Sequence, residues 1–352
     1  MSNSRISEHV AQTGAHQTFY LASGPEDGPL IILVHGWPEL SLSWRHQLPI
    51  LGGLGFRCIA PDMRGYGKSS VYSEKADYSL DKIVGDMIAL LNYLQREKAV
   101  WVGHDWGSPV VWNIASHYPD RCDAVASLCV PYGGPDANVL DLIDRSVYPE
   151  DEYPLGQWDY MLYYQESFDK AIAEFDANVQ LTLKGLFRKG NPAGMGKPAA
   201  TAMIRKAGGF FGDLGDAEGP LSGLAKAENM PIDQDVISEE DLQVYTEGLQ
   251  RNGFFGPGAW YVNTESNAVY ASTSVNGGRL SMPVLFIGAM YDYTCETVAS
   301  RAKEPMQKLC SHLTLDVIKS GHWMAQEKPA EVNSVLTRWL ATEVSGIWPT
   351  PE

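Results

Sequence analysis

Four strand-length stretches in the first third of the chain are apolar almost from end to end. They are LIILVHG (Leu30–Gly36), FRCIAPD (Phe56–Asp62), AVWVGHD (Ala99–Asp105) and AVASLCVP (Ala124–Pro131). A strand with one face in water alternates apolar and polar residues, whereas one that is apolar throughout has both faces covered, as in a parallel sheet clad with helices. Between the second and third of these runs, SLDKIVGDMIALLNYLQ places Leu80, Ile83, Val84, Met87, Leu90, Leu91 and Leu94 at helical spacing, with Ser79 at the N-cap position. This βαβ rhythm predicts an α/β fold built on a mostly parallel, doubly wound sheet.

The middle of the chain breaks the rhythm. From about Gly133 to about Asn276 the strand-like runs give way to Pro, Gly, aromatic residues and helical segments. SEEDLQVYTEGLQRNG reads as a helix capped by Ser238, with Asp241 at the capping-box position and Gly253 at its end. Strand-type runs then resume with PVLFIGA (Pro283–Ala289) and LTLDVIKSGH (Leu313–His322), and AEVNSVLTRWLATE forms a closing amphipathic helix. The 352 residues therefore divide into a first core part (1–132), a helical insert (133–276) and a second core part (277–352).

Charge narrows the choice of partner. The net charge of −16, from 43 acidic residues against 27 Lys and Arg, argues against nucleic acid and anionic membranes, which bind basic patches. The N-terminal MSNSRISEHVAQ has no apolar core of the kind a secretory signal needs, and no run approaches the ~20 apolar residues of a membrane span. The five Cys are scattered and form no CxxC pair, which points to free thiols in a reducing compartment. A soluble, cytoplasmic protein, monomeric or homodimeric, is expected.

VGHDWGS (Val102–Ser108) sets an acid where a nucleophile elbow, Gly-x-Ser-x-Gly, has its serine. Asp105 follows a strand and precedes a helical stretch, and Gly103 and Gly107 supply the small residues that so tight a turn demands. HGWP (His35–Pro38) follows the earlier strand, where such folds aim a backbone N–H at the elbow; the amides of Trp37 and Trp106 form a candidate oxyanion hole. His35 itself is expected to brace the loop. A carboxylate nucleophile leaves an ester, whose hydrolysis needs a base and an acid to orient it. In the chain order nucleophile, acid, histidine, His322 in SGHW is the base and Asp292 in GAMYDYT the acid, with Asp136 a competing acid position after the strand Ala124–Pro131.

With these residues in place, the chain resembles the epoxide hydrolases of the α/β-hydrolase fold, of the soluble type, from about Gly24 to the last helix. HGWPE, DMRGYGKSS, GHDWGS, WDYMLYYQE, FFGPGAWYVN and SGHWMAQEKP carry the resemblance. The first three are shared with haloalkane dehalogenases. The resemblance implies that WDYMLYYQE and GAWYVN each carry a lid tyrosine, Tyr160 and Tyr261, that hydrogen-bonds the epoxide oxygen. It implies a small-molecule epoxide and water as substrates, a covalent ester on Asp105, and no cofactor or metal.

Four other readings stand beside this one. GYGKSS (Gly65–Ser70) fails as a Walker phosphate loop because Asp62 stands where a glycine is required, and as a dinucleotide fingerprint because Ser70 does. A haloalkane dehalogenase would share the elbow, with the indoles of Trp106 and Trp37 as halide donors, but would leave the two lid tyrosines without use. A catalytically idle binding module would have no reason to keep nucleophile, base and acid together, and a serine esterase lacks its Gly-x-Ser-x-Gly.

Overall fold

The structure, a computed structural model, describes residues 5–136, 138–214 and 221–349. The first four and last three residues of the chain lie outside that range, as do 137 and 215–220. Eight strands form one sheet: β1 (Ser7–Thr13), β2 (His16–Ser23), β3 (Leu30–Val34), β4 (Arg57–Pro61), β5 (Ala99–His104), β6 (Cys122–Leu128), β7 (Leu280–Ala289) and β8 (Cys310–Ile318). Their order is β1-β2-β4-β3-β5-β6-β7-β8, with β1 and β2 antiparallel to their neighbours and the rest parallel.

The four apolar runs become β3, β4, β5 and β6, the central strands, and β3 and β5 are buried at every position. The two faces of the sheet carry separate apolar layers. Ile32, Val34, Ile59 and Trp101 point to one side, while Ile31, Leu33, Cys58, Val100 and Val102 point to the other. The alternation of β-strand side chains sends each strand's residues to both layers, so both faces are predominantly apolar.

Some local expectations change. β1 was not evident in the sequence because most of it faces solvent at the sheet edge, and β2 was not because its buried run opens on the polar His16, Gln17 and Thr18. The helix Leu80–Tyr93 buries the expected Leu80, Ile83, Val84, Met87, Leu90 and Leu91. Ser79, however, turns its hydroxyl to Asp81 and Ala76, and the Leu80 N–H is capped by the Asn267 side chain at 2.8 Å. In the helix Glu239–Asn252 the Ser238 Oγ accepts from the Asp241 N–H as expected, but the Asp241 carboxylate binds Arg45 at 2.9 Å. Only half of the capping box forms. β8 ends at Ile318, so His322 stands four residues beyond it, on the loop before the helix Met324–Glu327.

Between β6 and β7 no strand occurs among the described residues, only helices and turns. Their apolar faces merge with one layer of the sheet. Tyr160, Tyr164, Phe175, Leu183, Phe210 and Tyr261 belong to the same cluster as Val34, Val110 and Trp323.

Candidate active site

Asp105 stands at the turn between β5 and the helix Gly107–His117 with φ of 49°, a left-handed conformation costly for a residue other than glycine. The turn is closed by backbone packing. A Cβ on Gly103 would come within 2.4 Å of the Gly107 carbonyl oxygen, and one on Gly107 within 2.1 Å of the Val34 oxygen. The spacing of the two glycines thus follows from the contact of β3, β5 and the helix, and the strain holds the Asp105 carboxylate above the ends of the strands.

Two groups engage that carboxylate and a third stands beside it. The Trp37 N–H, on the loop after β3, donates to Oδ1 at 2.7 Å. The Trp106 amide nitrogen lies 2.6 Å from where a Cβ on Gly36 would sit, so it opens on the same narrow space between the two loops. Among the described residues it makes no hydrogen bond to the carboxylate. On the other oxygen, His322 Nε2 stands 3.5 Å from Oδ2. His322 Nδ1–H donates to Asp292 Oδ2 at 2.6 Å, while Oδ1 of Asp292 accepts from the amides of Thr294 and Cys295. Asp292 is buried and Asp136 exposed, so only the former reaches the imidazole.

The charges around His322 reinforce one another. Burial alone would lower its pKa, but Asp292 and Asp105 outweigh burial and hold it well above the ordinary value. Burial likewise pushes Asp292 up, and the imidazolium brings it below the usual carboxylate range.

Tyr160, on the helix Asp159–Glu166, and Tyr261, in the turn Trp260–Val262, come from segments a hundred residues apart. Their rings meet at 5.7 Å between centroids, and both line a space of about 390 Å³ with Asp105 and His322. A second space, about 590 Å³, opens from Asp105 and Tyr160 toward Trp106, Trp158, Met161 and Cys295. Burial, with the Asp105 charge adding to it, pushes both phenols well above their usual range, so each remains a hydroxyl donor.

The family model described as alpha/beta hydrolase fold matches residues 29–329. Bifunctional epoxide hydrolase 2 of Sus scrofa is 37% identical over 90% of this chain, and the chain spans about half (52%) of that relative's length. Epoxide hydrolase B of Mycobacterium tuberculosis is 35% identical over 91% of this chain and 94% of its own. The chain belongs to the epoxide hydrolases of the α/β-hydrolase fold. Among solved structures of this family, Epoxide Hydrolase A from Mycobacterium thermoresistibile superposes with a TM-score of 0.76 at 30% identity, covering 96% of this chain and 99% of that one.

Beneath the family's motifs lies a pair that the sequence reading left without a role. His104 Nδ1–H donates to Glu39 Oε2 at 2.8 Å, and Nε2–H donates to the His322 carbonyl at 2.8 Å. Both partners are acceptors, so both ring nitrogens carry protons and His104 is an imidazolium. Burial lowers its pKa, and Glu39 more than reverses that, leaving it well above its usual value, while Glu39 itself is held down at about 2. Glu39 Oε2 also accepts from the Gly36 N–H, so the pair ties the Trp37 loop to the backbone of His322. His104 and Glu39 stand inside quoted motifs, but nothing in the sequence marks two residues 65 positions apart as partners. His35 is different: it donates to the Gly36 carbonyl and accepts from the Met63 N–H, a neutral brace for its loop.

Scattered in sequence, His and Cys do gather in space. His104, Cys129 and His322, and likewise Asp292, Cys295 and His322, offer donor atoms within 4.8 Å of one another. These groups are already engaged: the Cys129 thiol donates to the His322 carbonyl, Nδ1 of His322 serves Asp292, and burial holds the Cys295 thiol protonated. No described helix is long and apolar enough to cross a membrane.

Proposed function

We propose that the chain hydrolyses epoxides to vicinal diols through an ester on Asp105. One Asp105 oxygen attacks a ring carbon from behind, and the C–O bond of the oxirane breaks. Tyr160 and Tyr261 donate hydrogen bonds to the departing oxygen, which takes a proton from one of these phenols to become the first hydroxyl of the diol, and the phenol is later reprotonated from solvent. His322, paired with Asp292, then removes a proton from water, which adds to the carbonyl carbon of the ester. The amides of Trp37 and Trp106 stabilise the oxyanion, a role in which one donor contributes roughly 3 kcal/mol. Collapse, with His322 returning its proton to the leaving oxygen, releases the second hydroxyl and restores the carboxylate, now carrying an oxygen from water.

The observation that carries this reading is the placement of Asp105 between the His322–Asp292 pair and two buried phenols lining one space. A haloalkane dehalogenase would have no task for the phenols, and the relatives named above are epoxide hydrolases. We read residues 133–276 as a lid over the two core parts 1–132 and 277–352, because both phenols belong to it. Five buried, free thiols support work in a reducing compartment such as the cytoplasm. Single turnover in heavy-oxygen water tests the scheme. The label is expected in the Asp105 carboxylate; label in the first-turnover diol instead means that water opens the ring directly.

A further inference from the structure

Two hydrogen-bond donors in the site have nothing to bond to. The indole Nε1–H of Trp37 and the hydroxyl of Tyr164 are buried without a partner among the described residues, although both side chains line the space that holds Asp105 and His322. Neither donor serves the proposed chemistry, which uses the Trp37 backbone and the hydroxyls of Tyr160 and Tyr261. Their surroundings offer no relief. The Trp37 ring packs edge-on against Phe175, Phe254 and Tyr261 at 5.2–6.2 Å, and Tyr164 stacks on Tyr261 at 4.4 Å and packs against Phe210 at 5.1 Å. The two residues thus flank Tyr261 within one aromatic nest, 7% and 1% exposed. A buried donor left unpaired is costly, so two in one substrate space call for an acceptor that arrives with the substrate.

We propose that Trp37 and Tyr164 select epoxides whose side chain carries an uncharged oxygen acceptor, such as an ether, carbonyl or hydroxyl. The inference rests on the epoxide-hydrolase reading and adds a substrate class to it. The acceptor is uncharged because no lysine or arginine lines the space among the described residues, while Asp105 projects a carboxylate into it. His322 also lines the space, but its ring is already flanked by Asp292 and Asp105, so a substrate carboxylate there would face the Asp105 charge with no free cation to compensate. An all-carbon chain fits the aromatic walls equally well but leaves both donors unpaired, which is how a polar site rejects an apolar analogue.

The test uses straight-chain terminal epoxides of equal length, one all-carbon and three with a single ether oxygen at the second, third or fourth atom of the chain. For the parent enzyme, kcat/KM at one oxygen position is expected to exceed that of the all-carbon epoxide by roughly tenfold or more. Trp37→Phe and Tyr164→Phe keep a ring and remove the donor, and each should move that ratio toward one. The inductive effect of the oxygen on the oxirane is common to all variants, so the change in the ratio isolates the donor. Equal rates on all four epoxides in the parent, or a preference that survives both substitutions, would overturn the assignment and leave the hydrolase reading standing. A parent that opens none of them overturns the hydrolase reading itself, and this inference with it.

Discussion

His322 Nε2 and Asp105 Oδ2 lie 3.5 Å apart, a separation at which two opposite charges attract without a tight hydrogen bond. Two carboxylates thus favour the imidazolium, Asp292 and Asp105 holding the His322 pKa well above its ordinary value against the effect of burial. A base must be neutral, and alkylation supplies the change: an ester on Asp105 has no charge, so one of the two supports for the imidazolium vanishes when the second step begins. Asp105→Asn imitates that neutral state. Its His322 ring protons, followed by NMR, should titrate at lower pH than those of the parent, and an unchanged titration would separate the two groups energetically.

The acid partner is testable by trapping. His322→Gln should still form the ester and fail to hydrolyse it, so intact-protein mass spectrometry should find enzyme plus epoxide. Asp292→Asn should slow the same step, because Nδ1 loses its charged acceptor at 2.6 Å. Asp136 is exposed and Asp136→Asn should be nearly silent. Slow turnover in the latter with normal turnover in the former would move the acid.

Tyr160 and Tyr261 share one task in the proposed ring opening. Phe at either position removes a hydroxyl and keeps the packing, so each single variant should alkylate Asp105 more slowly while the remaining phenol carries part of the rate. The double variant should lose on the order of 10²–10⁴-fold, the usual contribution of general acid catalysis. Stopped-flow tryptophan fluorescence can follow the alkylation step, and a double variant at near-parental rate would exclude both residues.

Glu39 and His104 hold each other's charge in a dry place, 1% and 2% exposed. Glu39→Gln leaves a buried imidazolium facing a neutral amide and should cost about 3 kcal/mol or more in denaturant unfolding. The pH dependence has a definite sign. A carboxylate depressed to about 2 stabilises the fold above its ordinary value of 4.5 and loses that contribution as pH falls toward 2. The raised His104 contributes below its ordinary value of 6.5 and loses its contribution only as pH rises through the elevated one. The gap in stability between parent and variant should therefore be widest near neutral pH and close on acidification below about 4.5.

Legibility in the sequence followed the strength of each local signal. β3 to β6 were readable because strands buried on both faces are apolar at most positions. β1 was not, since its exposed edge position lets solvent choose most of its side chains. The elbow was readable because crowding against the Gly107 and Val34 carbonyl oxygens admits only glycine at 103 and 107, which leaves a mark within five consecutive residues. Ser79 shows the opposite case. Its position as N-cap was correct, yet a tertiary neighbour, Asn267, took over the capping bond.

By itself the sequence determined the α/β core, the strained turn at Asp105 and the candidate partners on later strand ends, because each depends on neighbours within a few residues or on chain order. Tertiary structure decided what depends on distance across the fold. It brought Asp292 rather than Asp136 to His322, turned Tyr160 and Tyr261 toward one space, and paired His104 with Glu39. It also left the donors of Trp37 and Tyr164 without acceptors, which no local pattern records. Hydrogen bonds and charges act over a few ångströms, and only the folded chain sets which residues stand that close.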